Sequence, residues 1–310
     1  MIKIAFFWTA DFSESILRDL YKYSDIKIVF IVSQVDKKVG RKQVLTPTKV
    51  KQFALDHDIV CYQPESLKDD TKLHQEAKKL DFIVVVAYGK IMPIRLLKSP
   101  KYGSVNLHGS LLPSYRWASP VQESLKNGDS ILWLSTMFMS AWMDEWDILL
   151  QKQIEYNVHN TALQVFQKYA SIWWELLHKT LLWVIDWSMT WTPQDESKVS
   201  YCKKIQKTDG EIDFHTMSGE QIYNLYKAYF IWPWIYSFYN WKKLNFITCD
   251  YIKNVEKSKI GKVFQYNDDI CAVQCQWWIL VLHDIKLEWK KSITILDFIN
   301  GNRDFIWHTF

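Results

Sequence analysis

The chain has 310 residues, 48% of them hydrophobic, with 38 basic against 34 acidic side chains for a formal net charge of +4. These totals predict one large or two ordinary domains with a substantial core. The mild positive charge permits an anionic partner without demanding one. No run of about 18 apolar residues occurs, so no transmembrane helix is expected, and the opening MIKIAFF is too short before its first polar residues to be a signal peptide.

Lys3 to Phe7 reads as a buried strand. Phe12 to Tyr23 carries helical apolar spacing at Phe12, Ile16, Leu17 and Leu20. Ile26 to Val32 is a second strand, and the basic run Lys37 to Lys51 after it, with Gly40 and Pro47, reads as loop. That run is open to two readings, a solvated loop plus helix face or a phosphate-contacting loop. Val50 to Leu55 predicts a helix, Ile59 to Tyr62 a short strand, and Asp70 to Leu80 a helix. Phe82 to Ala87 is a continuous β-branched run, the pattern of a strand covered on both faces. Strands alternating with helices predict a doubly wound parallel sheet, in which ligands sit beyond the carboxyl ends of strands.

Ser104 to Leu107 is an alternating strand that runs into a polar pair and a turn-rich loop, SVNLHGSLLPSYRWASP. A helix from Ser119-Pro120 to about Lys126 is closed by Asn127-Gly128. Leu132 to Met139 and Ile148 to Glu155 read as strands around the acidic loop Asp144-Glu145-Trp146-Asp147, and Thr161 to Leu182 as a long amphipathic helix. Trp187 to Ser197 lacks periodicity and is a candidate linker. Ser218 with Gln221 makes a capping box for a helix to about Tyr229. The short alternating runs Ile235–Tyr239, Lys242–Ile247, Lys262–Gln265, Ile270–Gln274 and Ile279–Ile285 then suggest a small β-barrel.

Five cysteines, Cys61, Cys202, Cys249, Cys271 and Cys275, are odd in number and lack CxxC spacing. This argues for a reducing cytoplasm and against a disulfide framework or a zinc site. Cys271 and Cys275 with His283 are better read as ordinary strand residues than as a metal cluster, and no metal is expected.

The abnormal figure is 17 tryptophans against 9 glycines. Ordinary usage of ~7% would give roughly 22 glycines. The tryptophans also fall where turns need glycine. Asn240-Trp241 lies between two alternating runs, where a type I′ hairpin prefers Asn-Gly. Trp8 follows the first strand, and Trp277-Trp278 separates two others. Two readings account for this: a gene whose UGA codons mean glycine, as in some bacterial lineages, translated with UGA as tryptophan, or a natural protein rich in tryptophan. Sixteen such replacements would bring glycine to about 8%.

Chemistry concentrates at Asn106, His108 and Asp144. Side chains alternate along a strand, so Asn106 and His108 share a face. A histidine near neutral pKa can move a proton, an amide N–H can stabilise an oxyanion, and a carboxylate can orient the imidazole or relay protons through water. For His108 alone a hydrogen-bonded strand-end residue is the competing reading, and for Asp144 a solvated acidic loop. No serine or cysteine stands in a nucleophile motif, so direct transfer is preferred over an acyl-enzyme.

Taken together, the motifs resemble the methionyl-tRNA formyltransferase family over nearly the whole length. The resemblance rests on Asn106-Leu107-His108, Ser110-Leu111-Leu112-Pro113, Arg116-Trp117, Val84 to Gly89 with Pro93, Asp144 to Asp147, Pro193 to Ser197 (PQDES), Lys203-Lys204-Ile205, Asp209 to Asp213 and Trp232-Pro233-Trp234. Trp8, Trp117, Trp133, Trp142, Trp146, Trp234 and Trp289 stand where the family carries glycine.

The resemblance implies a formyltransferase-type, Rossmann-like catalytic domain over 1–187, a linker over 188–205 and an OB-like C-terminal β-barrel that binds tRNA over 206–310. It implies 10-formyltetrahydrofolate as co-substrate, initiator methionyl-tRNA as acceptor, and a cytoplasmic monomer with no membrane partner. Asn106, His108 and Asp144 are then catalytic, and Ser110, Leu111, Leu112 and Pro113 cradle the folate. Lys37, Lys38, Arg41 and Lys42 of the basic insertion, with Lys203, Lys204, Lys207, Lys242 and Lys243 of the barrel, contact tRNA. The alternatives are a glycinamide ribonucleotide or sugar-nucleotide formyltransferase with the same site, or an inactive nucleic-acid-binding homologue.

Overall fold

A computed structural model describes every residue except 9–12, 41, 140–143 and 189, and only the backbone at 13–15 and 39. The chain opens with β1 (Ile2–Trp8), α1 (Ser13–Tyr21) and β2 (Ile26–Ser33). The hairpin β3 (Lys37–Val39) and β4 (Val44–Thr46) follows, then α2 (Lys49–Asp56) and β5 (Val60–Tyr62). Next come α3 (Thr71–Ala77), β6 (Phe82–Val86), α4 (Ile94–Leu97), β7 (Ser104–His108) and the two-residue β8 (Arg116–Trp117). After α5 (Pro120–Asn127), β9 (Leu132–Phe138) and β10 (Ile148–Ile154) pair antiparallel, and α6 (Ala162–Asp186) leads towards β11 (Tyr201–Cys202).

These strands form a seven-stranded sheet in the order β10-β9-β7-β6-β1-β2-β5. Its five strands from β7 to β5 are parallel, and β9 joins β7 antiparallel. The expected doubly wound parallel sheet is therefore present, with an antiparallel edge. The order reverses between β1 and β6, the position at which such sheets bind ligands, and β7, which ends at His108, is the strand beside β6. The β-branched β6 is buried throughout because β1 and β7 flank it and helices cover it. Ala5, Phe7, Phe30, Val32, Ile83 and Val85 pack against Leu73, Ala77, Leu96 and Leu97 from α3 and α4. Truncating one of these large side chains would cost ~3–5 kcal/mol.

The helices begin where side chains can take up free backbone N–H groups. Thr48 accepts from Lys51 N at α2 and Asp70 from Leu73 N at α3. The basic run after β2 is not simply loop, as expected. Gly40, at φ +72°, and the Gln43 N–H bond to Gly40 O turn it into the β3–β4 hairpin.

Towards the C-terminus, α7 (Gly219–Ala228) starts at the expected capping box of Ser218 and Gln221. It is followed by β12 (Ile235–Tyr239), β13 (Lys242–Ile252), β14 (Val263–Asn267), β15 (Ile270–Gln274) and β16 (Ile279–Leu287). Then come β17 (Ile293–Thr294) and α8 (Ile295–Gly301), which the hydrophobic pattern did not reveal. The strands pair antiparallel in the order β12-β13-β16-β15-β14, with β17 on β16. Contacts divide the chain into two units. One is Met1–Pro120, Ile131–Glu155 and Phe166–Cys202; the other is Val121–Ser130, Tyr156–Val165 and Lys203–Phe310.

Among the described residues six tryptophans lie in the left-handed region: Trp117 (φ 80°), Trp187 (54°), Trp234 (67°), Trp241 (64°), Trp278 (67°) and Trp289 (64°). Asn240 (48°) and Trp241 form the β12–β13 turn with both central residues at positive φ, the type I′ requirement. Left-handed backbone costs a residue with a Cβ roughly 1–2 kcal/mol. Six such sites approach the ~5–15 kcal/mol by which a whole domain is stable. Trp8 behaves otherwise: it ends β1, wholly buried, with its ring 5.3 Å from Phe6.

Candidate active site

β7 delivers Asn106 and His108 to the carboxyl edge of the sheet. In the β7–β9 register Asn106 faces Met137 and His108 faces Ser135. Asn106 is half-buried and His108 is 5% exposed. Asp144 comes to them from the turn before β10, with its own φ at 60°. Its Oδ1 accepts from Asn106 Nδ2 at 3.4 Å, and its Oδ2 lies 3.6 Å from His108 Nδ1. The three residues proposed from sequence therefore meet.

The second nitrogen of His108 decides what the imidazole can do. Nε2 lies 2.8 Å from the carbonyl of Tyr115. A carbonyl only accepts, so Nε2 carries the hydrogen. In neutral His108 the lone pair is then on Nδ1, the nitrogen facing Asp144. The 3.6 Å gap is too long for a direct hydrogen bond. Nδ1 is therefore the nitrogen whose lone pair can accept a proton. Oδ2 is held separately by the backbone N–H of Trp117, at 2.8 Å.

Left-handed residues crowd this edge: Tyr115 (φ 60°), Trp117, Ser119 (66°) and Asp144, with Ala87 (48°) just past β6. Such strain persists where surrounding contacts over-determine it, and it gathers at functional sites. Here the contacts come from Ser110 Oγ, donating to Ser114 O at 2.6 Å, and from Tyr115 N, donating to Ser200 Oγ at 2.9 Å.

Of the four residues expected to cradle a folate, Ser110 and Leu112 are buried, Pro113 is half-buried and Leu111 is exposed. Ser135 Oγ donates to Ser110 O at 2.6 Å and accepts from Leu112 N at 3.4 Å. Gln151 Nε2 donates to Leu112 O at 3.1 Å and to Ser135 Oγ at 3.0 Å. The loop is stapled to β9 and β10, and much of its backbone is committed to that staple. Sequence reasoning missed Ser135 and Gln151. A pair of polar residues, Ser135-Thr136, at the centre of an otherwise apolar strand was the available signal.

Lys37, Lys38 and Lys42 are exposed on the β3–β4 hairpin, and Arg41 lies outside the described residues. Lys51, at the foot of the hairpin, is paired with Asp36 at 2.7 Å. In the second unit Lys203, Lys204, Lys207 and Lys242 are exposed, and Lys243 lies over the ring of Tyr236 at 3.4 Å. Burial, and then the positive charge of Lys207, hold the Lys243 ammonium below its ordinary pKa. Burial pushes the thiols of Cys271 and Cys275 up to about 12. Among the described residues no group of three His, Cys, Asp or Glu side chains is placed to hold a metal, and no helix is long and apolar enough to cross a membrane.

The geometry brings an amide, an imidazole and a carboxylate together at the carboxyl edge of the sheet, and comparison with known proteins gives the class. Residues 2–181 match the formyl transferase family and residues 204–303 match the formyl transferase C-terminal domain. The structure of an N-formyltransferase from Helicobacter canadensis, in complex with folinic acid and dTDP-3-aminofucose, is similar with a TM-score of 0.65 at 16% identity, over 91% of this chain and 99% of that one. The structure of HypX from Aquifex aeolicus in complex with tetrahydrofolic acid is similar with a TM-score of 0.62 at 12% identity, over 98% of this chain and 47% of that one. Over the full length the likeness is narrower. The methionyl-tRNA formyltransferases of Caldicellulosiruptor saccharolyticus and Sulfurimonas denitrificans are 36% and 34% identical, covering 96% and 97% both of this chain and of their own lengths. The chain belongs to the methionyl-tRNA formyltransferase family.

Proposed function

We propose that the protein transfers a formyl group from 10-formyltetrahydrofolate to the α-amine of initiator methionyl-tRNA. The observation that carries the chemistry is the fixed tautomer of His108, with Nε2–H on the Tyr115 carbonyl and Nδ1 open towards Asp144. The acceptor is supported by the full-length likeness to enzymes of that name and by the exposed lysines of the hairpin and the second unit.

The site suits a folate carrying a formyl group. Leu111 and Pro113 offer apolar surface on a loop that Ser135 and Gln151 hold rigid. The bound co-substrate supplies an electrophilic formyl carbon. An α-amine has a pKa of roughly 8, so a useful fraction is neutral and nucleophilic. Asn106 directs its amide N–H at the formyl oxygen, where negative charge develops. His108 takes the amine proton at Nδ1, with Asp144 stabilising the cation, and passes it through water to the departing folate nitrogen. The exposed lysines hold the tRNA backbone as phosphate contacts.

On this reading residues 1–187 form the catalytic domain, 188–205 the linker and 206–310 the tRNA-binding domain, all in a cytoplasmic monomer. The test offers three acceptors with labelled 10-formyltetrahydrofolate: charged initiator tRNA, glycinamide ribonucleotide and an amino-sugar nucleotide. Transfer to the tRNA alone is expected. Transfer to either small acceptor in its place would replace this reading with that enzyme.

A further inference from the structure

The PQDES segment, Pro193 to Ser197, takes no part in the chemistry above, yet it is bonded to the turn that carries Asp144. Thr192 exchanges backbone hydrogen bonds with Ile148 at 2.9 Å, and Ser200 O accepts from Arg116 N at 2.8 Å. Between these anchors Gln194 reaches the catalytic turn. Its Nε2 donates to the carbonyl of Asp144 at 2.8 Å and to that of Trp146 at 2.7 Å. Its Oε1 accepts from Arg116 Nε at 3.0 Å. Arginine only donates and carbonyls only accept, so this is the one amide orientation that satisfies all three bonds. Arg116 is fully buried and held by a forked pair to Glu196, at 2.7 and 3.3 Å. Burial alone would lower the Arg116 pKa, but Glu196 and Tyr201 outweigh it and the net shift is upward. Residue 117, next along the chain, donates its N–H to the Asp144 carboxylate.

We propose that Gln194 is a positioning residue for the transfer reaction. It clamps the backbone of the Asp144–Trp146 turn, and Arg116 with Glu196 sets the orientation of its amide, so the Asp144 carboxylate stays within reach of both Asn106 and His108. The inference rests on the formyl-transfer reading. A misplacement of about 1 Å costs up to ~10²-fold in rate.

The test compares Gln194→Leu and Gln194→Met with the unsubstituted chain. The side chain is half-exposed, so neither variant empties a core. A kcat lower by about 10–100-fold is expected, with KM for both substrates within about twofold, since the Gln194 amide is taken up by Arg116, Asp144 and Trp146. The same substitution in Asp144→Asn should cost no further kcat, because residues acting as one unit are not additive. An unchanged kcat, or full additivity in the double variant, overturns the clamp. Amide exchange at 144–148 reads the clamp without any turnover. Faster exchange in both variants supports it and unchanged exchange refutes it, even if the unsubstituted chain formylates no tRNA and the functional reading fails.

A second inference stands on different observations. Of the six tryptophans at positive φ among the described residues, Trp241 is 98% and Trp289 93% exposed, so no packing offsets their strain. Trp241 completes an Asn-X type I′ turn, Trp278 sits in the β15–β16 turn and Trp289 in the β16–β17 turn. A non-glycine residue at positive φ is a few-per-cent event, and for a bulky one an outlier. We infer that positions 117, 187, 234, 241, 278 and 289 are glycine in the native polypeptide, encoded by UGA. Peptide mass spectrometry on protein from its own host should find glycine at all six, and a recombinant chain with Trp→Gly at those sites should melt higher than the chain as written. Tryptophan in the native peptides, or UGG at those codons, overturns the inference.

Discussion

His108 is held so that only one of its nitrogens is free for chemistry. Tyr115, itself in left-handed backbone, supplies the carbonyl that takes up Nε2–H. Removing the imidazole should therefore remove proton transfer and leave binding. His108→Ala is expected to lower kcat by ~10²–10⁴-fold with folate affinity largely kept, as checked by single-turnover kinetics beside equilibrium binding; unchanged turnover would take His108 out of the mechanism. The meeting of Asn106, His108 and Asp144 was legible in the sequence because an amide and an imidazole two apart on a strand share a face and an acidic loop with a carboxylate follows the next strand. Tyr115, Ser135, Gln151 and Gln194 were not assigned roles. Tyr115 acts through its backbone carbonyl and Gln194 through a fold-dependent contact, neither of which a residue type reveals.

At the scale of elements, the β3–β4 hairpin puts Lys37 opposite Thr46 and Lys38 opposite Leu45, with Val44 and Leu45 exposed beside them. A hairpin that shows both cations and apolar side chains to solvent suits a partner offering phosphates and base faces. Replacing Lys37, Lys38 and Lys42 with Ala should raise KM for tRNA, spare folate binding and flatten the dependence of log affinity on log salt by about one per lost contact. Affinity insensitive to salt would leave the hairpin without phosphate contacts. The parallel strands and α7 were readable from periodicity and capping. The hairpin was read as loop because three-residue strands carry too little alternation. The β8–β11 pair was hidden for the same reason: two residues have no period, and their partners, Tyr201–Arg116 and Cys202–Trp117, are remote in sequence.

At the scale of the whole molecule, stability answers to backbone strain and to pH. Burial among Tyr239, Phe305 and Phe310 pushes the His308 imidazole below its ordinary pKa, against a smaller upward pull from a backbone contact to Phe238 and from Asp304. The unfolded chain, with His308 near ~6.5, then binds the proton more readily than the folded one. This stability is full above the unfolded value and is lost as pH falls through the folded value. Melting temperature should fall between pH 7.5 and 5.5, and less so in His308→Phe. The carboxylates held below their usual range, Asp25, Asp36, Asp195, Asp213 and Glu220, stabilise at neutral pH and lose that contribution only in more acidic solution. An equal drop in His308→Phe would assign the loss elsewhere. The tryptophan excess was legible in composition alone, but only the backbone separates Trp241 and Trp289, in left-handed turns, from Trp8, which packs in the core. The central claim is formyl transfer to methionyl-tRNA through the Asn106–His108–Asp144 site. It is tested most directly by incubating protein from its own host with labelled 10-formyltetrahydrofolate and charged initiator tRNA and following label into formyl-methionine. Incorporation that His108→Ala abolishes is the predicted result; no incorporation, or incorporation indifferent to His108, would contradict it.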